Sequence, residues 1–375
     1  MIVLHLPSWF PRTEKPLDGN FIIRQIAAVA PNTTSIILHH TEEAFLEECS
    51  KQIDSNIIFY PIHTHQKISK VKLFWAYDQA VRKIIRRYGK PDLIHLHVAL
   101  PMGPVAVFLS KRYHIPLVVS EHWSIYQPQN RAQLSGKQLN RLRKVYHRAR
   151  YLTSVSENLH QAIVETIPQA EDVPFRQISN VVDTSIFHPA TVVSQHSKKQ
   201  ILHVSTLDNN AKNIMGILRG VKNLSQQRND FELNIIHDLR NEEVEQFIQD
   251  EHLGCVVHLL GKKSENEVAE SIRNCDFMLQ FSNYENQPCV LLESFCCGKP
   301  VLATTVGGIP EIANSINGRL IVPRNEDMLV DQLAYMLDHS HEFDPSAISA
   351  NAISKYDKEN IGEQFLEVYK NCTGK

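Results

Sequence analysis

The seven cysteines of this chain, at positions 49, 255, 275, 289, 296, 297 and 372, never form a CxxC pair. That spacing argues against a zinc ribbon or a disulfide framework and implies a reducing compartment. Cys296 and Cys297 are adjacent and read as packing rather than redox chemistry. There is no GxGxxG segment and no Walker A loop, so a dehydrogenase or a P-loop enzyme has no phosphate cradle here. No apolar run approaches the roughly 20 residues of a membrane span. The N-terminal MIVLHLPSWFPR has neither the basic lead nor the apolar length of a signal peptide. The expectation is a cytoplasmic protein.

What is present is ordinary for a globular chain: 43% hydrophobic and 21% charged residues over 375 positions. That length exceeds a single typical core, so two domains are expected. Short apolar runs of strand length alternate with helical runs from residue 2 to residue 339, which predicts parallel sheets covered by helices on both faces. A polar segment at residues 191–199 reads as a linker. The expected domains are therefore 1–190 and 191–355. Residues 358–372 have apolar positions at helical spacing, and this last helix (356–375) is expected to pack back on the first domain.

The densest stretch is residues 281–310, FSNYENQPCVLLESFCCGKPVLATTVGGIP. Two carboxylates, Glu285 and Glu293, stand eight positions apart. Pro288 is placed to open a helix and Gly298 to close it. The reading is strand, loop with Glu285, helix with Glu293 near its middle, strand. Such a helix aims its unbonded N–H groups into the crevice at the strand ends, where a phosphate would sit. Taken by spacing alone, an ordinary βαβ unit with two solvated glutamates fits equally well. His122 follows the strand at 116–121 and sits where open α/β sheets bind ligands, although a structural hydrogen-bonding role fits a lone histidine better. Gly19, just before the helix at 21–30, permits close backbone approach.

With Glu285-x7-Glu293, Gly307-Gly308-Ile309-Pro310-Glu311, Asn180-Val181-Val182-Asp183 with Phe187 and Pro189, Ser156-Glu157, Gly19 with Phe21, and Glu121-His122 in this order, the chain resembles the retaining GT-B glycosyltransferases of family 4. The resemblance implies two tandem Rossmann-like domains facing a central cleft, and a nucleotide-diphosphate sugar, UDP- or GDP-linked, as donor substrate rather than cofactor. It implies that Glu285 binds donor-sugar hydroxyls and Glu293 the ribose hydroxyls. The amides of Cys289 and Val290 and the Gly19 backbone would approach the diphosphate, and His122 the donor sugar. Asn286, Gln287 and Pro288 complete the donor loop; Asn286 replaces the family's usual glycine. In the family an arginine and a lysine six positions apart neutralise the leaving group. Here those positions hold Thr206 and Lys212, so the lysine is retained and the arginine is not. Lys262, Lys263 and Arg324 are candidates for the missing charge. No metal is implied, and Asp92 and Asp183 read as structural. Two alternatives stay open: a non-catalytic nucleotide-sugar-binding protein and a GT-B nucleotide-sugar epimerase.

Charge is unevenly spread. Residues 1–190 carry 22 Lys and Arg against 15 Asp and Glu, and the remainder 17 against 26. Residues 66–90 hold eight basic side chains and one acid, interleaved with apolar residues, and 131–150 hold seven and none. Such stretches read either as solvated helix faces or as surfaces for anionic lipid. The expected partners are a saccharide or lipid-linked acceptor and an anionic membrane, with peripheral docking on its inner face. Nucleic acid is not expected, because no recognition motif is present.

Overall fold

The structure, a computed structural model, describes residues 1–11, 19–40, 56–62, 69–190 and 196–374. The start of the expected linker (191–195), the start of the basic stretch at 66–68, and 12–18 of the loop before Gly19 lie outside the described residues.

Two compact units are present, Met1–Val181 with Lys358–Lys375, and Val182–Asp357. Residues 182–190, assigned to the first half from sequence, group with the second unit for a visible reason. Val182 donates its N–H to Tyr356 O at 2.9 Å. Phe187 is buried in the second unit's core, and Arg273 Nη1 donates to Ile186 O at 2.9 Å.

The first unit is a seven-stranded sheet. Its strands are β1 (Ile2–Pro7), β2 (Thr34–His39), β3 (Ile57–Pro61), β4 (Leu93–His97), β5 (Leu117–Glu121), β6 (Tyr151–Ser154) and β7 (Phe175–Gln177). The order is β3-β2-β1-β4-β5-β6-β7, all parallel. The order reverses at β1/β4, the switch point where such sheets open a crevice. Helices α1 (Asn20–Val29), α2 (Lys70–Tyr88), α3 (Gly103–Tyr113), α4 (Gly136–Arg148) and α5 (Glu157–Thr166) cover it. Alternation decides the faces: Leu4, Leu6, Ile36, Leu38, Ile94 and Leu96 pack toward α2 to α5. Val3, Leu93 and Val118 face the other way, against α1 and α14 (Lys358–Thr373), whose Ile361, Phe365 and Tyr369 are buried there.

The second unit has six parallel strands: β8 (Lys199–Ser205), β9 (Phe231–His237), β10 (Val257–Gly261), β11 (Phe277–Gln280), β12 (Val301–Thr304) and β13 (Gly318–Ile321). Their order is β10-β9-β8-β11-β12-β13, so this switch point lies between β8 and β11. Among the described residues eight helices accompany them: α6 (Asn209–Lys212), α7 (Ile214–Ser225), α8 (Glu242–Asp250), α9 (Glu265–Asn274), α10 (Cys289–Cys296), α11 (Ile309–Ile312), α12 (Glu326–His339) and α13 (Pro345–Tyr356). Ile201, Leu233, Phe277 and Leu279 pack toward α7 and α12. Leu202, Met278 and Val301 pack toward α9, α10 and α13. Burying each such side chain contributes about 1.5–3 kcal/mol.

Candidate active site

Lys212 owes its position to a tight turn. After β8 the chain passes Leu207 in the left-handed region, φ 58°. Asp208 then caps the one-turn helix α6, accepting the Asn210 N–H at 2.9 Å. Lys212 is the last residue of α6, which delivers it beside the loop that leaves β11. There its Nζ meets Glu285 Oε1 at 2.6 Å. The same oxygen accepts from Gln280 Nε2 at 2.9 Å and Ser282 Oγ at 2.8 Å. Three donors thus converge on Oε1, and among the described residues none reaches Oε2. Beneath them His203 is fully buried, its Nδ1 at 2.8 Å from Leu279 O and its Nε2 at 2.8 Å from Ser205 Oγ. Burial, chiefly, lowers its pKa to about 4, so this imidazole is neutral at physiological pH.

The loop carrying Glu285 is shaped from below by Gly307, φ 54°. A Cβ on Gly307 would collide with the Glu285 carbonyl oxygen, so only glycine lets the two backbones pass. Gly308 adds a hydrogen bond from its N–H to Asn286 O, 2.9 Å. This is the physical content of the Gly-Gly-x-Pro-Glu segment. Beyond the loop, α10 begins directly after Pro288, which has extended backbone and offers no side-chain cap. The first amides, of Cys289 and Val290, therefore open the positive end of the helix. Glu293 is largely buried on α10, Gln287 and Pro288 are buried, and Asn286, Cys289 and Val290 are half-buried. Thr206 is exposed at the end of β8.

The remaining two candidates lie in the first unit. His122 follows β5, with the Phe21 ring 4.4 Å from its own. Desolvation lowers its pKa to about 3, so it can exchange hydrogen bonds but carries no charge. Gly19 is the N-cap of α1, φ 75°. The close approach it permits is made by the chain itself, since a Cβ would lie 2.7 Å from Trp9 O. The loop bearing His122 hangs on Glu121, a buried carboxylate singled out in sequence only as the neighbour of His122. Glu121 Oε1 accepts the N–H groups of His122 and Trp123 at 2.9 and 3.0 Å. Its Oε2 accepts from Ala99 N, Tyr126 Oη and Tyr146 Oη at 3.1, 3.0 and 3.2 Å.

Among the described residues one group gathers potential metal ligands, His5, His95 and His97, with atoms within 4.8 Å of one another. The ring centroids of His95 and His97 lie 3.9 Å apart with their planes tilted by 33°, and both His95 nitrogens already bond hydroxyls, Tyr369 at 2.7 Å and Ser120 at 2.6 Å. With both His95 nitrogens engaged and His5 bonded to His97 and Ser35, the group suits a hydrogen-bonded row better than an ion. Asp92 and Asp183 hold backbone: Asp92 accepts the Ile2 N–H at 2.7 Å and Asp183 the Ser185 N–H at 3.0 Å. Cys296 and Cys297 are buried in the core, and burial raises both thiols to about 12.

Residues 30–186 match the model described as Glycosyltransferase Family 4, and residues 187–359 the one described as Glycosyl transferases group 1. The chain belongs to this glycosyltransferase family. An uncharacterized glycosyltransferase of Methanocaldococcus jannaschii is 28% identical over 291 residues, 76% of each chain. The N-acetyl-alpha-D-glucosaminyl L-malate synthase of Bacillus anthracis is 24% identical over 332 residues, 84% of each. Among solved structures, Anabaena HepE in complex with UDP superposes with a TM-score of 0.78 at 19% identity, over 98% of this chain and 99% of that one. That last likeness is one of fold. The glycosyltransferase has the GT-B architecture, with two parallel-sheet α/β units as expected from sequence.

Sequence reasoning missed Gln280, Ser282 and His203 around the Lys212–Glu285 pair. One signal was available: Gln280 and Ser282 interrupt an otherwise apolar run at the same parity, so both face one side.

Proposed function

We propose that this glycosyltransferase moves a sugar from a nucleotide-diphosphate sugar to a saccharide or lipid-linked acceptor with retention of anomeric configuration, in the synthesis of a cell-surface polysaccharide or glycolipid. The observation that carries the reading is the Lys212–Glu285 pair at the ends of adjacent strands, beside the start of α10, where Pro288 offers no side-chain cap. As the bond from C1 to the phosphate oxygen breaks, the diphosphate gains charge. The Lys212 ammonium and the N–H groups of Cys289 and Val290 answer it, the largest electrostatic demand on such a site. Glu285 has Oε2 to accept a donor-sugar hydroxyl, while Oε1 stays with its three protein donors. Glu293 accepts from the ribose diol. Asn286, Gln287 and Pro288 shape the sugar pocket wall.

In the first unit, neutral His122 hydrogen-bonds the sugar near its reacting carbon, with Gly19 close to the phosphates. The acceptor oxygen bonds to C1 on the face the phosphate leaves, and its proton passes to the departing phosphate oxygen. The protein's own cations serve the leaving group, so the reading requires no metal. The UDP complex of HepE supports a nucleotide donor of this kind. The basic stretches of the first unit favour an acceptor at an anionic membrane, with peripheral docking from the cytoplasmic side.

The test is Lys212→Ala, expected to lower kcat/KM by about a hundred-fold or more with unchanged circular dichroism; a variant as active as the parent would refute the phosphate role. Thermal-shift screening with UDP-, GDP- and ADP-sugars identifies the donor first. Thr206, lacking the family arginine's charge, favours a second reading as a binder without turnover. Donor binding with no transfer to any acceptor, unaltered by Thr206→Arg, would establish that reading.

A further inference from the structure

The missing arginine leaves a charge to be found, and three cations were candidates. Lys263 Nζ pairs with Glu267 at 3.2 Å at the start of α9. It and Lys262 follow β10, the outer strand on the far side of β8 and β9. With strands about 4.8 Å apart, β10 lies three strands, roughly 14 Å, from β11.

Arg324 is placed differently. It follows β13, two strands from β11 on the other side, with φ 61°. A non-glycine residue in that region is uncommon and marks a site worth explaining. Its Nε donates to Asn283 Oδ1 at 3.1 Å. Asn283 is the residue that ties the β11 loop to the Lys212 turn. Its N–H donates to Ala211 O at 2.8 Å, and its side-chain amide to Asn209 O and Asn210 O at 3.4 and 3.0 Å. One side chain thus holds both the guanidinium and the backbone leading into Lys212. Two residues on, Glu285 takes Lys212 itself.

The nearby arginines are committed elsewhere: Arg219 to Glu326, Arg228 to Asp230 and Asp338. Arg319 lies 4.1 Å over the Tyr335 ring. Arg324 is exposed, and among the described residues no carboxylate pairs with it. Four of its five N–H donors remain for a ligand, in the planar fork that suits phosphate oxygens.

We propose that Arg324 supplies the second positive charge on the diphosphate, replacing the cation absent at Thr206. The proposal rests on the donor reading above and names one more of its ligands. The test compares affinity for UDP, GDP and ADP with that for uridine, guanosine and adenosine by calorimetry, in the parent, Lys212→Ala, Arg324→Ala, Arg324→Lys and Arg324→Ala with Thr206→Arg. For the nucleotide that binds, Arg324→Ala is expected to weaken the diphosphate by about tenfold or more and leave the nucleoside unchanged. Arg324→Lys should recover part of the loss, and adding Thr206→Arg should restore it. An unchanged diphosphate affinity in Arg324→Ala, while Lys212→Ala loses it, overturns the role of Arg324 and leaves the donor reading standing. Failure of all three diphosphates to bind the parent removes both.

Discussion

Glu285 holds three donors on one oxygen, and its carbonyl leans on Gly307. That arrangement makes the site sensitive at residues that touch no substrate. Gly307→Ala adds a methyl at a positive φ and against the Glu285 backbone. The expected cost is about 1–3 kcal/mol of stability in the second unit, with a rise in donor KM because the carboxylate is displaced. Thermal unfolding and initial-rate kinetics would check both; unchanged KM would show that the loop can yield. At this scale the legible signals were local. Pro288 and Gly298 bracket α10 because a helix start and stop are decided by neighbouring backbone. Asn283 was not legible, and Arg324 could be named only beside Lys262 and Lys263, since their partners lie 72 to 74 and 41 positions away in sequence. Nothing in the local sequence announces the hydrogen bond that joins them.

Across the first sheet, alternation sets a polar row under α1 and α14. His5 Nδ1 lies 3.1 Å from His97 Nε2, and His5 Nε2 3.2 Å from Ser35 Oγ. His95 joins Tyr369 of α14 to Ser120, which in turn meets Thr153 at 2.5 Å. Burial lowers the His5 pKa from 6.5 to about 3, and that of His95 and His97 well below 6.5. The unfolded chain takes these protons near pH 6.5, whereas the folded chain refuses them until well below that, at His5 until about pH 3. Their stabilisation is therefore full above pH 6.5 and is lost as pH falls below it, by about 1.4 kcal/mol per pH unit down to about pH 3 for His5. All three tryptophans, Trp9, Trp75 and Trp123, belong to this unit, so fluorescence follows its unfolding alone. The urea midpoint is expected to drop between pH 7.5 and 5.5, and less so in His5→Gln. A midpoint independent of pH would contradict the buried neutral row. The alternation of strand and helix did not say which helix lies over the histidine face. Besides the one-turn helices α6 and α11, two elements escaped altogether. Strand β7 is only three residues long, and α13, PSAISANAISKY, is built of small and polar residues that make no broad apolar stripe.

For the molecule as a whole, net charge says little: −2 at neutral pH, with a pI near 6.8. What an anionic surface would meet is set within a Debye length, about 8–10 Å, and there the layer of α2, α3 and α4 differs from the rest. The acid of the α2 stretch, Asp78, is turned inward and held by Arg82, Arg112 and Tyr113. Lys72, Lys83, Arg86 and Arg87 of α2 remain exposed, as do Lys111 of α3 and Lys137, Arg143 and Lys144 of α4. Val71 and Trp75, 79% and 65% exposed and one helical turn apart, project beside them. A solvated face explains the lysines but leaves an exposed tryptophan on a basic helix without a partner in water. No helix among the described residues is long and apolar enough to cross a membrane, so attachment by this face would be peripheral. Each basic residue near an anionic surface is worth about 1 kcal/mol, and Trp75 would enter the headgroup region. Vesicles of phosphatidylglycerol and phosphatidylcholine should therefore retain the protein at low salt and release it at high salt. Trp75→Ser should weaken retention, and Lys83→Glu with Arg87→Glu should abolish it while transfer to a soluble acceptor persists. Flotation that leaves the parent protein at the bottom of the gradient, even at low salt with pure phosphatidylglycerol, would return this helix to the role of a solvated face.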